Sequence, residues 1–436
     1  MNIKDNTKFK ITKKPILLIL VTSFFAGMLY AVFLYKGAKM IPYKRNLEYV
    51  FNTNFKFISN YFKSNSDNTG TLFLDIKFKE WRKLVNQRNE VWNFTNMVKY
   101  YPLQWTDSID KVEINGKINF NNQINKVKIK LTGMNYDHFG DPKKWSYKVS
   151  VKADNTIERQ KKFNLLIPPS REYVNEFISH IFLEELDMIP LRFKPVKLVL
   201  NGENMGFYIM EEFYEKRLIE YNKYRESAIL RLKDSEIVIS SKNYVKYKSI
   251  IDSFNLKLEL FKNSKIGIEE LFNLDKMADR IGMSILFGEN HSLIDFNQRY
   301  YLNPFTLKLE PMGREWHYNS YSNELDVFTN IKTISEMDSI FYKKLFNNIS
   351  FTNKINRSLD KITSNLFLDK VYNKHLKDIN NVKNVFYSEY PFFNTNEQTI
   401  RKNAVLLRSR GNWIEAKLKD SKKNKELKQV KKLRSK

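Results

Sequence analysis

The chain has 436 residues, of which 42% are hydrophobic and 14% aromatic, so it is long and apolar enough to bury a core and is not intrinsically disordered. Its formal charge of +26 favours an anionic partner such as a nucleotide, a phospholipid surface, an acidic polysaccharide or a nucleic acid, and a generally basic surface explains the same charge. It has no cysteine, which excludes disulfides, thiolate metal sites and cysteine nucleophiles.

The N-terminal segment contains one long uncharged run. Residues 16–35, ILLILVTSFFAGMLYAVFLY, hold no charged side chain, and twenty helical residues span about 30 Å, the thickness of a bilayer's hydrocarbon core. We therefore predict one transmembrane helix over residues 15–36, after a cytoplasmic tail over residues 1–14. Lysines on both sides give a slight bias toward a cytoplasmic N-terminus. The main part of this single-pass protein is then expected outside the cytoplasm.

A stalk over residues 37–68 is predicted to lead into a sheet-rich lobe over residues 69–238. In KVEINGKINF, the Asn115-Gly116 pair between alternating runs predicts a hairpin turn. In KVKIKLTG, apolar and lysine residues alternate, which predicts a strand with one apolar and one basic face. The run LNGENMG predicts the turn of a second hairpin.

A helix is predicted to begin at Ser170, which is a suitable N-cap. Within it, Glu176, His180 and Glu184 recur at helical spacing opposite an apolar stripe, which predicts a solvated face. From about residue 240 the pattern is mostly helical. We therefore predict an α+β arrangement of two lobes.

The second lobe is predicted to span residues 239–416, followed by a basic tail over residues 417–436. Its most polar segment is NHSLIDFNQRYYLNPFTLKLEPMGREWH, residues 290–317, which contains two histidines and several acids around two short strands. Such a segment is typical either of a metal and phosphate site or of the polar rim of a sheet.

Several runs in order resemble one known family. They are GMNYDHFGDPKKWSYKVSVK, KKFNLLIPPSREYVNEFISHIFLEELDMIP, LVLNGENMGFYIMEEF and the segment at 290–317. Together they resemble the CotH kinase family, spore-coat-type atypical protein kinases, over roughly residues 70–415. The resemblance implies a divergent protein-kinase-like fold that binds ATP with Mg²⁺ or Mn²⁺ and phosphorylates protein hydroxyls.

The resemblance also implies which residues hold the nucleotide. Lys144 lies in the match to the family's Pro-Lys-Lys-x-x-Tyr strand, and Lys148 lies further along it, so either is expected to hold a phosphate as a point charge. Lys233 is a weaker candidate. Glu212 closes the hairpin match and is expected to pair with such a lysine. The alternative for each is an ordinary solvated side chain.

The metal ligands implied by the resemblance are Asp295, Asn297, Glu310 and Glu315, with Asp295 and Glu315 also expected to be catalytic. Carboxylate and amide oxygens suit Mg²⁺. The chain departs from the family pattern where an acid is expected near Ser292, and where a pair of aspartates is replaced by Glu315 and His317. His317 suits a transition metal better than Mg²⁺. The metal site is therefore expected to be either remodelled or lost.

Three hypotheses for function remain open on the sequence. The first is an active membrane-anchored kinase that transfers phosphate from ATP to an unknown protein substrate at the cell envelope. The second is a catalytically degenerate binding protein on the same fold, acting in envelope or surface-polymer assembly. The third is a basic module that binds nucleic acid or an acidic polymer. No nucleic-acid-binding motif is present, so nucleic acid is the least expected partner.

Overall fold

The computed structural model of the protein describes residues 22–25, 27–28, 56–65, 69–97, 111–233, 236–239, 241–294, 297–337 and 340–409. The chain divides into two compact units. The first comprises residues 1–63 and 390–393 and contains helix α1 (Lys56–Lys63), whose Asn60 Nδ2 donates to the carbonyl of Pro391 at 2.9 Å. The second comprises residues 64–389 and 394–436 and contains the strands and the other helices named below.

Seven strands of the second unit close into a β-barrel. They are β1 (Thr71–Asp75), β2 (Ile114–Phe120), β3 (Gln123–Leu131), β4 (Tyr147–Val151), β5 (Lys162–Leu166), β6 (Phe193–Leu200) and β7 (Glu203–Glu212). Their order around the barrel is β1-β2-β3-β4-β5-β7-β6. Strand β1 closes it by pairing antiparallel with β2 and parallel with β6.

Alternating side chains explain which face of each strand is inside the barrel. On β3, Val127, Ile129 and Leu131 are buried, while Lys126 and Lys128 between them are exposed. Because successive side chains of a strand point to opposite faces, the apolar set fills the barrel and the lysines line its outside. The predicted strand with one basic face is confirmed.

The first predicted hairpin turn is wrong in position. Asn115 and Gly116 lie inside β2, and the turn to β3 is made by Asn121 and Asn122, whose φ values of 49° and 61° suit a tight hairpin. Gly116 is needed for packing instead, because a Cβ there would lie 2.7 Å from the Ile129 side chain. The second predicted turn is confirmed at Asn201 and Gly202, between β6 and β7.

Helix α2 (Phe78–Met97) packs against the apolar core of the barrel. Its Leu84 and Val91 are buried within the same cluster as the inward residues of the strands. Trp81 stacks on Trp145 with ring centroids 5.1 Å apart. This burial of large apolar surface is the main stabilising contribution in this part of the molecule.

A second sheet and a set of helices follow the barrel. The sheet has the order β11-β10-β8-β9, formed by β8 (Ile229–Lys233), β9 (Glu236–Val238), β10 (Arg299–Leu302) and β11 (Leu309–Met312). The helices are α3 (Asn175–Glu185), α4 (Lys216–Tyr221), α5 (Ser241–Lys246), α6 (Lys248–Lys262), α7 (Leu274–Phe287), α8 (Glu324–Ser335), α9 (Ile340–Asn347), α10 (Ile349–Thr363), α11 (Asn365–Lys374), α12 (Leu376–Tyr387) and α13 (Glu397–Arg408).

Helix α7 is the buried helix that precedes the segment at 290–317. The Asn273 side chain caps its N-terminus by accepting from Lys276 N, and Gly288 ends it in the left-handed conformation with φ 69°. Ten of its residues are buried, including Arg280, and it packs against α10 and α13. The helix therefore fixes where the polar segment begins.

The predicted two-lobed, protein-kinase-like fold is wrong. Its first lobe was expected to be the sheet-rich lobe of a kinase-like fold, whereas the seven strands close on themselves into a barrel. The closure depends on the parallel pairing of Thr71–Asp75 with the residues around Lys197, which no local pattern in the sequence indicates. The predicted lobe limits at 69–238 and 239–416, like the stalk and the basic tail, stay predictions.

The expected membrane anchor is also corrected. Among the residues that the structure describes, no helix is both long and apolar enough to cross a bilayer. Of the predicted span at 15–36, only residues 22–25 and 27–28 are described, as short helical stretches, and the rest lies outside the described residues. The membrane partner and the single-pass location, which both depended on that span, are not supported.

Candidate functional site

A row of polar residues crosses the outer face of the barrel. Lys130 on β3 is paired with Lys148 on β4, Lys148 with Asn164 on β5, and Asn164 with Glu211 on β7. Directly paired residues share one face of a sheet. The inward neighbours of these four residues fill the barrel core, so the row faces outward.

Two arginines and two glutamates at the Glu211 end of this row form a buried ionic cluster, called here the Arg–Glu cluster (Arg171, Glu211, Arg314 and Glu315). Arg171 Nε donates to Glu211 Oε1 at 2.9 Å, and its Nη2 donates to Glu315 Oε1 at 3.2 Å. Arg314 lies 3.8 Å from Glu211 Oε2 and 3.5 Å from Glu315 Oε1. The two positive and two negative charges balance.

Burial and charge act in opposite directions on the acids of this cluster. Burial would raise the pKa of Glu211, but Arg171 and Arg314 outweigh it and hold that pKa below its usual value. The pKa of Glu315 is likewise held well below its usual range, because Arg314 and Arg171 overcome the effect of burial. Both carboxylates are therefore ionised and serve as the counter-charges of the arginines.

Glu176 at the start of α3 holds the peptide that carries Glu315. Its carboxylate accepts the backbone N–H of Glu315 at 2.7 Å and that of Trp316 at 3.0 Å. Glu315 has a left-handed φ of 61°, so these two bonds fix a strained turn. Burial raises the pKa of Glu176 to about 7, with Arg171 opposing and Glu211 adding to the rise.

The predicted solvated face of this helix is accordingly wrong. Glu176 has no exposed surface and His180 is 3% exposed, because the second half of the chain packs over them. Nothing in the local sequence indicates that covering. Glu184 alone of the three remains exposed.

Lys148 lies in the row between Lys130 and Asn164, and its surroundings differ from those of the arginines. Its Nζ lies 3.4 Å from the centre of the Phe213 ring, and within the described ranges it has no carboxylate at ion-pair distance. Burial lowers the pKa of Lys148 to about 7, and the cations Lys130, Lys162, Arg314 and Lys111 lower it further in the same direction. The amine is thus held among like charges.

Three buried polar atoms near Lys148 have no hydrogen-bond partner in the described structure: Arg314 Nε, Asn164 Oδ1 and the hydroxyl of Tyr214. Arg314 lies over the Tyr214 ring at 5.7 Å, and Asn164 is paired with Lys148 across the strands. Buried polar groups normally find partners, so such atoms mark a place for a ligand or water.

Two histidines lie on the other side of the Arg314–Glu315 peptide. The rings of His291 and His317 have centroids 4.6 Å apart. His291 Nε2 is 3.8 Å from Glu315 Oε2, and His317 Nδ1 is 3.2 Å from Glu172 Oε1. Burial lowers the pKa of His317, but Glu172 outweighs it and the pKa lies above its usual value.

The described residues among the predicted metal ligands are held by protein partners. Asp295 lies outside the described residues. The Asn297 amide donates to the carbonyl of His291 at 3.0 Å, and Glu310 accepts from Lys276 at 2.8 Å and from Asn303 at 2.8 Å. Across the ranges that the structure covers, no three histidine, aspartate or glutamate side chains are arranged to hold a metal ion. The predicted Mg²⁺ site therefore stays a prediction.

Three of the residues predicted to bind the nucleotide, Lys144, Glu212 and Lys233, lie in other surroundings than Lys148. Lys144 pairs with Glu389 at 2.5 Å, and the side chain of Glu212 accepts from Arg192 Nε at 2.7 Å instead of pairing with a lysine. Lys233 ends β8 and is exposed. Of the predicted residues that the structure describes, Lys148 and Glu315 lie near Arg314.

Arg171, Glu211 and Arg314 were not among the predicted site residues. The consecutive glutamates at the end of β7 gave a signal, because adjacent strand residues face opposite ways and only one of the two can face this site. The residue facing it is Glu211 and not Glu212. No sequence pattern distinguishes Arg314 from the rest of the chain's 74 lysines and arginines.

No protein-family model matches the chain, and no curated protein matches it. Neither result identifies the CotH family that the ordered motifs resemble, so that resemblance stays a prediction. Kinase activity and ATP binding receive no support from the barrel fold. Any function has to be argued from the site itself.

Proposed function

We propose that this chain is a binding protein for an oxyanionic ligand, with a phosphate-bearing molecule as the class that fits best. The observation that carries the proposal is Lys148, a half-buried amine that faces other cations and has no carboxylate at ion-pair distance within the described ranges. We call Lys148 with Arg314, and the polar atoms beside them, the oxyanion seat.

Burying a cation costs free energy unless an anion or hydrogen-bond acceptors compensate it. The Arg–Glu cluster meets this condition internally, since each arginine has two glutamates nearby. Lys148 does not. A bound oxyanion would supply the missing negative charge and raise the pKa of the amine toward its ordinary value.

Arg314 gives the seat a second, geometrically different donor. Its guanidinium carries donors in a planar fork that matches the oxygens of a phosphate, and its buried Nε has no partner in the described structure. The cluster and Glu176 hold the backbone of Arg314 and Glu315 in place. The acids therefore position the seat, and the cations of Lys148 and Arg314 contact the ligand.

The predicted phosphoryl transfer, with ATP and Mg²⁺ or Mn²⁺, stays a prediction. ATP is one phosphate-bearing compound that the proposed seat would accept through its phosphates. Titration of ATP with and without Mg²⁺, beside pyrophosphate, distinguishes a nucleotide from the phosphate alone. Metal dependence of ATP affinity would support the predicted use of ATP, and equal affinity for pyrophosphate would leave only phosphate binding.

The test of the proposal is sulfate binding to the Lys148→Met variant, measured by calorimetry at constant ionic strength. Sulfate keeps its charge over the whole pH range of the experiment. A charge-assisted hydrogen bond contributes about 1.5–3 kcal/mol, so we expect affinity to fall at least about tenfold. Without ligand, the variant should be about 1 kcal/mol more stable than the parent, because a disfavoured charge is removed.

The control is Lys128→Met on the same outer face of the barrel. Lys128 is half exposed and already paired with Glu113 at 2.5 Å, so its loss should leave sulfate affinity unchanged. Equal sulfate affinity for the parent, Lys148→Met and Lys128→Met would overturn the proposal. The stability measurement shows that Lys148→Met is folded.

A further inference from the structure

The outer face of the barrel carries a line of lysines that leads to the oxyanion seat. Strand β3 directs Lys126, Lys128 and Lys130 outward, because the residues between them fill the core. Lys126 and Lys128 are exposed and Lys130 is half-buried. These three residues are called here the lysine line. At about 3.4 Å per residue, the Cα atoms of neighbouring lysines along it are about 7 Å apart.

Adjacent strands widen this positive surface. Lys117 on β2 is paired with Lys126, and Lys148 on β4 is paired with Lys130. Lys162 on β5 is paired with Ser150, which is paired in turn with Lys128 of the lysine line. These lysines are thus contiguous on one face of the sheet, apart from the single serine.

Few acids offset these charges. Glu113 pairs with Lys128, and in the part of the chain that is described neither Lys117, Lys126, Lys130 nor Lys162 has an ion pair. Lys130 acts on its surroundings as an uncompensated charge: burial lowers the pKa of Lys111 to about 8, and Lys130 adds to that effect. The lysines of this face therefore repel one another in the free protein.

We propose that this face binds a linear phosphate polymer, which lies along the lysine line and places one phosphate in the oxyanion seat. The inference rests on the proposed function for that end phosphate. A polymer satisfies several regularly spaced amines at once, which a single phosphate cannot do. The lysines along the whole face, and not the oxyanion seat alone, are complementary in charge to such a phosphate chain.

The composition of the face favours a phosphate chain over a nucleic acid. Single-stranded nucleic acids bind through aromatic rings that stack on the bases as well as through cations. Apart from Ile124, the outward residues between Lys117 and Asn164 on β2 to β5 are lysine, asparagine and serine, and none of them is aromatic. The nearest ring, Phe213, lies 3.4 Å from Lys148 Nζ and is already in contact with that amine, so the lysine line itself offers charges for phosphates and no ring for bases to stack on.

The test compares medium-chain polyphosphate with tripolyphosphate on the full chain, at several salt concentrations, for the parent and for Lys126→Gln/Lys128→Gln. We expect the parent to bind the long chain at least tenfold more tightly than tripolyphosphate. The variant should lose about tenfold in long-chain affinity, and the slope of log affinity against log salt should fall by about 1.4, since each phosphate contact contributes about 0.7. Sulfate affinity should be unchanged.

The matched control is Lys262→Gln/Lys265→Gln at the end of α6. It removes the same charge, again from one lysine paired with a glutamate and one exposed lysine without an ion pair in the described residues. It should bind polyphosphate like the parent. An equal loss of polyphosphate affinity in both variants, or no preference for the long chain, would overturn the polymer proposal. Sulfate binding would in that case still support the oxyanion seat. Tighter binding of a charge-matched oligothymidylate than of polyphosphate would also overturn the polymer proposal and would indicate a site that binds nucleic-acid bases.

Discussion

Replacing Arg171 by methionine is expected to destabilise the protein by about 3–5 kcal/mol, the cost of breaking a buried ion pair by removing one partner. Its side chain is 5% exposed, and it is hydrogen-bonded to Glu211, which has no exposed surface, and to Glu315. Without it, both acids would lose the arginine that is hydrogen-bonded to each of them. Methionine preserves much of the length of the side chain, so packing changes little. Chemical denaturation gives the free energy of unfolding.

The control for this prediction is Arg401→Met on α13. Arg401 also has two acidic partners, Asp369 and Glu397, but its side chain is 35% exposed. Exposed ion pairs contribute roughly 0–1 kcal/mol, so this variant should be close to the parent. An Arg171→Met variant no less stable than Arg401→Met would contradict the assignment of the Arg–Glu cluster as a buried, mutually compensated unit.

Replacing Gly288 by alanine should cost about 2–4 kcal/mol, from a left-handed backbone and from overpacking together. Its φ is 69°, and a Cβ would lie 2.3 Å from the backbone carbonyl oxygen of Asn319. That carbonyl cannot move freely, because it also accepts from Asn403 at 2.8 Å, and Asn319 N donates to Phe287 O at 2.9 Å. The measurement is again the free energy of unfolding.

Gly202→Ala separates the two contributions. Gly202 has a φ of 86°, but no atom lies within 4 Å of the place that a Cβ would occupy, so only the backbone conformation matters and we expect a loss of about 1 kcal/mol. If Gly288→Ala were no worse than Gly202→Ala, the close contact between the end of α7 and Asn319 would not exist. Because Asn319 follows the Glu315 turn by four residues, that contact also helps to position the seat.

Local patterns in the sequence predicted the strands but not how the strands are joined. The alternation in KVKIKLTG gave the buried and exposed faces of β3, and the run LNGENMG gave the turn at Asn201. Barrel closure could not be predicted, because it depends on β1 pairing with β6 across more than a hundred residues. The same limit produced the wrong two-lobed fold.

The sequence could not predict the surroundings of a site residue whose partners lie far along the chain. Lys144 was expected to bind phosphate, but Glu389, far along the chain, neutralises it. Glu176 was expected to face solvent, and a segment about 140 residues later covers it. The predicted role of Lys148 in binding phosphate stays a prediction, and the lysines that act on its pKa, Lys130 and Lys162, lie on neighbouring strands.

The central claim is that the Lys148 amine becomes protonated, and so positively charged, when an oxyanion binds beside it. Its pKa of about 7 leaves the free amine mostly neutral at pH 8, and a bound anion raises that pKa, so binding at pH 8 must take up a proton. Below pH 6 the amine is already protonated and no uptake is expected. Affinity for sulfate should accordingly fall as the pH rises through 7.

The most direct test is calorimetry of sulfate binding at pH 8 in two buffers with different ionisation enthalpies, which gives the number of protons taken up. We predict uptake close to one proton per sulfate for the parent, and close to none for Lys148→Met or for the parent at pH 5.5. Binding without proton uptake at pH 8, or equal uptake in Lys148→Met, would contradict the assignment of Lys148 to the oxyanion seat.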